Sequence, residues 1–579
     1  MEHSTGAGLS MDRTLPPSSP LVPADLDAGD WSQLAPLFDD LLERPLESAS
    51  DLERWLVDRS ELEAAISEAL ADRYIAMTCH TDDEAAKAEY LRFVDEIEPR
   101  VKPMIFRLNE RFVKCSARAD LDEEQFRVLN RDLEVEVMIY REENVPLETE
   151  LSKLDQEYNE ICGAMTCDFD GRERTLAQMS RYLEETDRET RETAWTKIAS
   201  RRLDDADRIE SIFDRMLMTR QRVAENAGFE NYRDYMFRKM RRFDYTPADC
   251  IRFHDACEQE ITPLYRELNR QRRELLGVDD LKPWDLVVDA RGRPPLRPFE
   301  DADDLVDGTE RIFGRMDPGL GKLFSRLREP GCLDLDSRKG KAPGGYQYQR
   351  DRSRKPFIFM NAAGLSRDVE TLLHEGGHAF HSMLCADQPL LHYREAPTEF
   401  AEVASMSMEL TAHQFLDEFF TTEDAERARR RHLESIVQSL PWIAQIDAFQ
   451  HWLYTRVGHS RDERRDAWLA LDARFGPEVD WSGFEEYHAR SWQRQLHLFG
   501  VPFYYIEYGI AQLGALQIWL NYRDDPDRAI DQYKAGLSLG GSRPLPELFD
   551  AAGAEFNFGR DSVRRLITEV SRELESLPA

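Results

Sequence analysis

The chain has 579 residues, of which 41% are hydrophobic and 10% aromatic, and that content excludes a chain disordered along its whole length. The 76 basic and 111 acidic residues give a formal net charge of −35. A field of that sign repels nucleic-acid backbones and anionic membrane surfaces. We therefore expect neither nucleic acid nor a membrane as a partner.

The N-terminus and the cysteine pattern are typical of a cytoplasmic protein. Residues 1–25 are rich in Ser, Pro and Gly, which predicts a disordered tail, and they lack the pattern of a secretory signal. The eight cysteines are scattered without a C-x-x-C pair, which favours free thiols over a disulfide framework. No run reaches the roughly 20 apolar residues that span a bilayer. No pattern in the sequence points to an oligomeric state.

Helical periodicity dominates the chain after this tail. Apolar residues recur at helical spacing in 209–217 and again in 563–574. Between them, 356–360 is the clearest strand-like run and 286–288 a weaker one. The Gly- and Lys-rich stretch 338–345 predicts an exposed loop before the clearer strand. The predicted fold class is mainly α, with a small sheet near the middle of the chain.

A metal-binding motif follows that strand, His374-Glu-Gly-Gly-His378. On a helix, histidines four apart share a face about 6 Å apart, which lets both imidazoles bind one Zn²⁺ at about 2.1 Å. Glu375 lies beside that face, where it can take a proton from a zinc-activated water. Ser366 is the predicted N-cap of this helix, and Asp368 suits its first turn.

A catalytic zinc takes a third protein ligand and leaves one position for water. His381 lies about 10 Å along the axis from His374, so it cannot converge on the same ion, and we interpret it as a packing residue. The remaining source is an acidic residue on a second helix, and spacing alone leaves three candidates open, Glu395, Glu399 and Glu402. A carboxylate that is not a ligand can orient a ligating histidine by accepting its other N–H.

The order of three segments along the sequence carries a resemblance to a known family. Lys355-Pro-Phe-Ile-Phe-Met-Asn361 precedes the zinc helix, Glu395-Ala-Pro follows it, and His497-Leu-Phe-Gly-Val-Pro-Phe-Tyr-Tyr-Ile-Glu-Tyr508 comes later. In this order they resemble the thimet oligopeptidase and oligoendopeptidase F family of zinc metallopeptidases. The short gap before Glu395 points to the bacterial oligoendopeptidase branch. Since the resemblance starts near residue 190, we predict an N-terminal helical lobe over 26–190 and a zinc metallopeptidase domain over 191–579.

The resemblance implies a role for each matching residue of the metal site. One zinc ion per chain would be bound by His374, His378 and Glu395. Glu375 would be the general base and later the acid that protonates the leaving amine. Glu402 would lie behind the ligands and orient them.

The later segment is implied to act on the substrate carbonyl. His497, Tyr505 and Tyr508 would donate hydrogen bonds to its oxygen as negative charge develops there. Tyr504, Tyr505 and Tyr508 lie at i, i+1 and i+4, which is also a packing pattern. Which of these tyrosines face the zinc stays open.

The family fold implied is a large helical ellipsoid with a deep substrate channel and a small β-sheet beside the zinc site. A strand at 357–360 would pair with the peptide backbone, and Gly345, Tyr346 and Phe359 are the expected substrate contacts. The expected function is a zinc-dependent oligoendopeptidase that hydrolyses internal bonds of short unfolded peptides. Two alternatives are a peptide-binding protein on this fold without turnover and an exopeptidase with the same zinc chemistry.

Overall fold

The computed structural model describes residues 21–578 and is 71% helical, with two small sheets. The predicted mainly α fold is confirmed. Residues 1–20 of the predicted tail, 1–25, lie outside the described residues. Within 21–578, no helix is long and apolar enough to cross a membrane.

The N-terminal helices pack around an apolar core of their own. Its buried side chains come mostly from residues 28–133 and include Trp55 and Phe112, while Leu390 and Tyr393 join it from later in the chain. The helices concerned are α1 (Trp31–Glu43), α2 (Ala49–Cys79), α3 (Glu84–Arg92), α4 (Glu98–Lys114) and α5 (Glu123–Ile139).

A larger core holds the rest of the chain, from residue 139 onward. Its first helices are α6 (Val145–Gly163), α7 (Leu176–Ser180), α8 (Arg188–Asp204), α9 (Ala206–Asn226), α10 (Tyr232–Lys239), α11 (Pro247–Ala256), α12 (Thr262–Leu276), α13 (Ala302–Met316) and α14 (Pro318–Ser325). The later ones are α15 (Ser366–Leu384), α16 (Leu391–Arg394), α17 (Thr398–Thr411), α18 (Thr422–Thr455), α19 (Arg461–Phe475), α20 (Glu485–Arg490), α21 (His497–Gly500), α22 (Ile506–Asp524), α23 (Pro526–Ser538), α24 (Leu545–Ala551) and α25 (Arg560–Ser576). Both apolar stripes read from the sequence, 209–217 and 563–574, lie on helices of this core, α9 and α25.

Apart from Leu390 and Tyr393, the smaller core ends at residue 133 along the chain, and the larger core begins at residue 139. Helix α6 packs against α9 and so joins the larger core. The domain boundary near residue 190 stays a prediction. All eight cysteines are free thiols, as the scattered spacing indicated.

The strands form a hairpin and a three-stranded sheet. The hairpin pairs β1 (Thr166–Phe169) with β2 (Arg172–Thr175). The sheet has the order β3-β5-β4, in which the central strand runs parallel to β3 and antiparallel to β4. Its strands are β3 (Leu333–Asp336), β4 (Tyr346–Arg350) and β5 (Lys355–Ala362).

The strand prediction is right for 356–360 and wrong for 286–288. Residues 356–360 lie within β5, where they are buried on both faces, which explains the unbroken apolar run. Residues 286–288 follow a short 3₁₀ turn and pair with no strand. Val288 is buried in the helical protein, so its apolar character reflects burial rather than strand formation.

Candidate metal centre

Helix α15, which follows the sheet, carries the metal-binding motif. It begins at Ser366, and Leu365 rather than Ser366 is the N-cap residue, which corrects the prediction. Asp368 takes over the capping role, because its Oδ2 accepts the backbone N–H groups of Ala363 at 2.8 Å and Leu365 at 2.9 Å. A negative charge in the first turn also suits the helix dipole.

Three donor atoms meet where α15 packs against α17. His374 Nε2 lies 3.2 Å from His378 Nε2 and 3.4 Å from Glu402 Oε2, and His378 Nε2 lies 3.7 Å from the same oxygen. Ligands bound tetrahedrally at about 2.1 Å from one ion stand about 3.4 Å apart. Two imidazole nitrogens and a carboxylate oxygen at these separations could therefore hold one Zn²⁺ ion.

The structure places Glu402, not Glu395, beside the two imidazoles, which corrects the predicted third ligand. Helix α17 begins only at Thr398, so Glu395 lies before it and is exposed. Glu399 belongs to the helix but faces away from α15, and its Oε1 accepts a hydrogen bond from the Tyr245 hydroxyl at 2.7 Å. Glu402, buried and one turn further along, is the carboxylate that faces α15.

The close approach of α15 and α17 depends on a glycine. A Cβ atom on Gly377 would lie 2.5 Å from Ser405 Cα and 2.6 Å from the Ala404 carbonyl oxygen, both backbone atoms of α17. A Cβ atom on the neighbouring Gly376 would lie 3.1 Å from the Phe313 ring. Glycine inside a helix costs about 1 kcal/mol relative to alanine. At Gly377 close packing offsets this cost, because the missing side chain lets α15 and α17 approach each other.

Glu375 is a buried carboxyl close to His374 and Glu402. Burial raises the pKa of Glu375 to about 7, although the charge of His374 acts in the opposite direction. The backbone N–H of Gln347, in β4, lies close enough to the carboxylate to lower its pKa slightly, so the sheet lies beside the motif. A carboxyl group that titrates near neutral pH can both accept a proton and return it.

A chain of hydrogen bonds holds His374 from behind. His374 Nδ1 lies 2.6 Å from Glu409 Oε1, and the second Glu409 oxygen lies 3.0 Å from His432 Nε2. His432 Nδ1 in turn lies 2.7 Å from His413 Nε2. Burial favours a raised pKa for Glu409, but its hydrogen bonds with both histidines outweigh burial and lower the pKa to about 2. An ionised carboxylate at Nδ1 leaves Nε2 of His374 free to bind a metal.

Tyr504 and Tyr508 lie near Glu402, one of the three donors. Their rings lie 5.3 Å apart, and burial together with nearby charges that include Glu402 raises the pKa of both phenols, that of Tyr508 to about 12. Both hydroxyls therefore keep their protons at neutral pH and can donate. The ring of His497 lies 6.1 Å from Tyr504 and 6.2 Å from Tyr508.

The role of Tyr505 at the metal stays a prediction. The Tyr505 ring lies 4.8 Å from the His497 ring and 5.7 Å from the Tyr508 ring. Its hydroxyl lies beside Trp442 and Gln495. In the turn before α22, Phe503 has a φ of +69° and its N–H donates to Gln450 Oε1. Tyr504, the next residue, lies near Glu402.

The three predicted substrate contacts divide between a groove and a core. Gly345 and Tyr346 line an open groove of about 600 Å³ between β4 and the N-terminal helices, and the Tyr346 hydroxyl hydrogen-bonds with Thr78 Oγ1 at 2.6 Å. Phe359 is fully buried in β5 and stacks on Tyr346 at 4.8 Å. A substrate cannot reach Phe359, so that prediction is wrong, because side chains of this central strand are covered on both faces.

Sequence comparisons agree with the motif and the fold. The model of "Peptidase family M3" matches residues 181–316 and 321–566, and that of "Peptidase M3 N-terminal domain" matches residues 25–140. The first covers more than half of the chain. The chain belongs to peptidase family M3. The resemblance read from the sequence is thereby confirmed.

Solved structures share the fold of this chain, and curated proteins resemble its sequence. A solved structure of an oligoendopeptidase F is 30% identical, with a TM-score of 0.87, and the match covers 96% of this chain and 99% of that one. A structure of PZ peptidase A with an inhibitor is 29% identical, with a TM-score of 0.86 and coverage of 95% and 98%. The oligoendopeptidase F homolog of Borreliella burgdorferi is 23% identical over 303 residues, 50% of this chain and 49% of that protein. The chain thus aligns with about half the length of that curated relative.

Two residues behind the proposed metal ligands were missed by reasoning from the sequence, Glu409 and His432. Glu409 follows Glu402 by seven residues, a spacing that returns to the same face of a helix after two turns, so a signal for it existed. The sequence held no comparable signal for His432, which comes from α18 and meets Glu409 only through packing.

Proposed function

We propose that this chain is a zinc-dependent endopeptidase that hydrolyses internal bonds of short unfolded peptides. The observation that carries the proposal is the meeting of His374, His378 and Glu402 at separations of 3.2–3.7 Å, next to Glu375. The M3 family of peptidases supports the reaction class.

His374, His378 and Glu402 would hold the zinc ion. When bound there, zinc would polarise the peptide carbonyl and lower the pKa of an attacking water. Glu409 fixes the tautomer of His374 by accepting its Nδ1–H, as carboxylates behind ligating histidines do. Burial holds the pKa of His378 well below its usual value, so His378 is a neutral imidazole ready to ligate.

Glu375 would act first as base and then as acid. Burial brings its pKa to about 7, so it can accept a proton from water and pass it to the leaving amine near neutral pH. Tyr504, Tyr508 and His497 would donate to the carbonyl oxygen as it becomes negative. Donors placed for the transition state contribute about 3–4 kcal/mol each.

The peptide would lie along the outer edge of β4. This strand pairs with β5 on one side only, so its other edge offers backbone groups to an extended peptide. The groove lined by Gly345 and Tyr346 continues along it. We propose short peptides as the substrates and, from the free thiols, a cytoplasmic location.

The two other functions differ from this proposal in a testable way. A peptide-binding protein without turnover does not need Glu375, yet this residue is present and its pKa is tuned to near neutral. An exopeptidase would need the same zinc chemistry and would differ in its products. The choice rests on which bonds are cut.

The experiment is digestion of a defined peptide library by the zinc-loaded protein, with products identified by mass spectrometry. We expect internal cleavage that a chelator abolishes and added zinc restores. Glu375→Gln should bind zinc as the wild type does and lose about 10²–10⁴-fold in kcat. Its matched control is Glu395→Gln, which changes an exposed carboxylate outside the donor set and should keep its activity.

Each contrary result points to a specific alternative. Products that shorten by one residue from one end would favour the exopeptidase. Peptide binding without any cleavage by the zinc-loaded wild type would favour the binding protein. Chelator-resistant cleavage, or wild-type turnover in Glu375→Gln, would refute the zinc mechanism.

A further inference from the structure

A second cluster of metal-binding side chains lies between α11 and α18. Cys250 and His254 are four residues apart on α11, and Asp447 and His451 are four apart on α18. Each pair therefore shares one face of its helix. The cluster has no residue in common with the proposed catalytic site.

The donor atoms of this cluster are close together. The sulfur of Cys250, a carboxylate oxygen of Asp447 and a ring nitrogen of His451 all lie within 4.8 Å of one another. Asp447 Oδ2 also lies 2.8 Å from His254 Nε2 and 3.3 Å from His451 Nε2. The four side chains are buried, Cys250 and Asp447 completely so.

Hydrogen bonds within the protein leave this cluster incompletely satisfied. The ring nitrogens of His451 have no hydrogen-bond partner of good geometry, although Nε2 lies 3.3 Å from Asp447 Oδ2. Asp447 Oδ1 also has none. A buried polar group without a partner costs about 1–3 kcal/mol, and a cation bound by one His451 nitrogen and the Asp447 carboxylate would offset that cost.

We propose that Cys250, Asp447 and His451 bind a second zinc ion, with His254 holding the Asp447 carboxylate by a hydrogen bond. Thiolate and imidazole donors favour zinc over magnesium and calcium, which take oxygen ligands. All of these side chains are buried beyond the reach of a substrate, so this zinc is structural rather than catalytic.

Cys250 differs from the other buried cysteine of this segment in its neighbours, because a carboxylate oxygen of Asp447 and a ring nitrogen of His451 lie within 4.8 Å of its sulfur. Cys257, seven residues further along, is equally buried but has no such neighbours, and burial alone raises the pKa of its thiol.

The second zinc would stabilise the packing of α11 against α18, which supports the segment that contains Tyr504 and Tyr508. Gln450, next to His451 on α18, accepts the N–H of Phe503, and the Phe503 ring packs edge-on against the His451 imidazole at 5.6 Å. Phe503 forms the turn that precedes Tyr504. An ion that joins α11 to α18 would thus hold the start of α22 in place.

The first test is the zinc content of purified, reduced protein after dialysis, measured by plasma mass spectrometry. We expect about two zinc ions per chain in the wild type and about one in His378→Ala, which loses the catalytic ion. Cys250→Ser should also hold about one, with a lower Tm, while the matched control Cys257→Ser keeps about two. A single zinc that vanishes in His378→Ala, or two that remain in Cys250→Ser, would overturn the proposal.

A cobalt spectrum provides a second test that does not depend on the folding of Cys250→Ser. The proposed catalytic site contains no cysteine, so only the second site can give a thiolate-to-cobalt charge-transfer band in the near ultraviolet. We expect this band in the Co²⁺-loaded wild type and, undiminished, in Co²⁺-loaded His378→Ala. Its absence from both proteins would refute the second site and leave the proposed peptidase mechanism intact.

Discussion

Glu402 and Glu395 are two candidates for the third zinc ligand, and their positions differ. Glu402 Oε2 lies 3.4 Å from His374 Nε2, whereas Glu395 is exposed before α17 begins. We predict that Glu402→Ala lowers zinc affinity at this site by at least about 100-fold, because a ligand is lost. Glu395→Ala should bind zinc as the wild type does. Competition with a chromophoric chelator measures both affinities.

The reverse result would restore the other assignment. If Glu395→Ala loses the ion and Glu402→Ala keeps it, the donor set read from the structure is wrong. Circular dichroism of both variants shows whether a loss of zinc arises from unfolding. Cobalt can replace zinc in this assay, since its visible bands report the ligand set directly.

The sequence predicts some of these residues well and others poorly, for a physical reason. His374, His378 and Glu375 follow from helix periodicity, which acts over one turn and is visible in the sequence. The third ligand depends on which face of α17 packs against α15, a long-range contact that spacing within one segment does not encode. The sequence left open which of Tyr504, Tyr505 and Tyr508 faces the metal for a similar reason, since helical spacing does not encode the turn at Phe503 with its positive φ.

At the scale of elements, the packing of α15 on α17 is the contact that assembles the site. Gly377→Ala would place a Cβ atom 2.5 Å from Ser405 Cα, and backbone atoms cannot move aside as a side chain does. We predict that this variant is destabilised by about 1–3 kcal/mol. It should also bind zinc more weakly, because Glu402 moves away with α17. Thermal unfolding and zinc titration measure the two effects.

Gly376→Ala is the matched control for this prediction. Its Cβ atom would contact the edge of the Phe313 ring at 3.1 Å, and a ring can shift. Alanine also gains about 1 kcal/mol of helix propensity over glycine. We expect a stability within about 1 kcal/mol of the wild type and unchanged zinc affinity. Equal losses in both variants would show that helix separation at Gly377 is not the cause.

The segment that leads into α22 carries the proposed oxyanion donors. Tyr504 and Tyr508 lie near Glu402, whereas the Tyr505 hydroxyl lies beside Trp442 and Gln495. We predict that Tyr504→Phe or Tyr508→Phe lowers kcat by about 10²–10³-fold with little change in KM, because the hydroxyl acts mainly in the transition state. Steady-state kinetics on one fluorogenic peptide measure this.

Tyr505→Phe is the control, since it removes a hydroxyl of the same segment that does not face Glu402. It should keep kcat within about threefold of the wild type. All three variants should retain the wild-type zinc content and Tm, because the rings still pack. A large loss in Tyr505→Phe alone would support the original prediction for that residue.

At the scale of the whole molecule, local signals give the fold class but not the arrangement. The helical stripes on α9 and α25 and the strand at 356–360 are visible in the sequence because each depends on its own periodicity or burial. The separation of an N-terminal core over residues 28–133 from a larger core depends on contacts between distant helices. Similarity to family M3, rather than periodicity, supplied the link between these helices and a peptidase.

The burial of the proposed ligands limits which substrates can reach them. Only 25% of the His374 side chain, 20% of His378 and 10% of Glu402 are exposed, and β4 lies alongside. An extended peptide can enter beside the strand, whereas the surface of a folded protein cannot come within bonding distance of the ion. We therefore predict efficient internal cleavage of a short peptide and none of a folded protein that displays the same sequence in a helix. Mass spectrometry of both digestions measures this, and the folded protein, once unfolded and cut into fragments, is the matched control. Equal rates on the peptide and the folded protein would contradict a recessed site while leaving the zinc chemistry untouched.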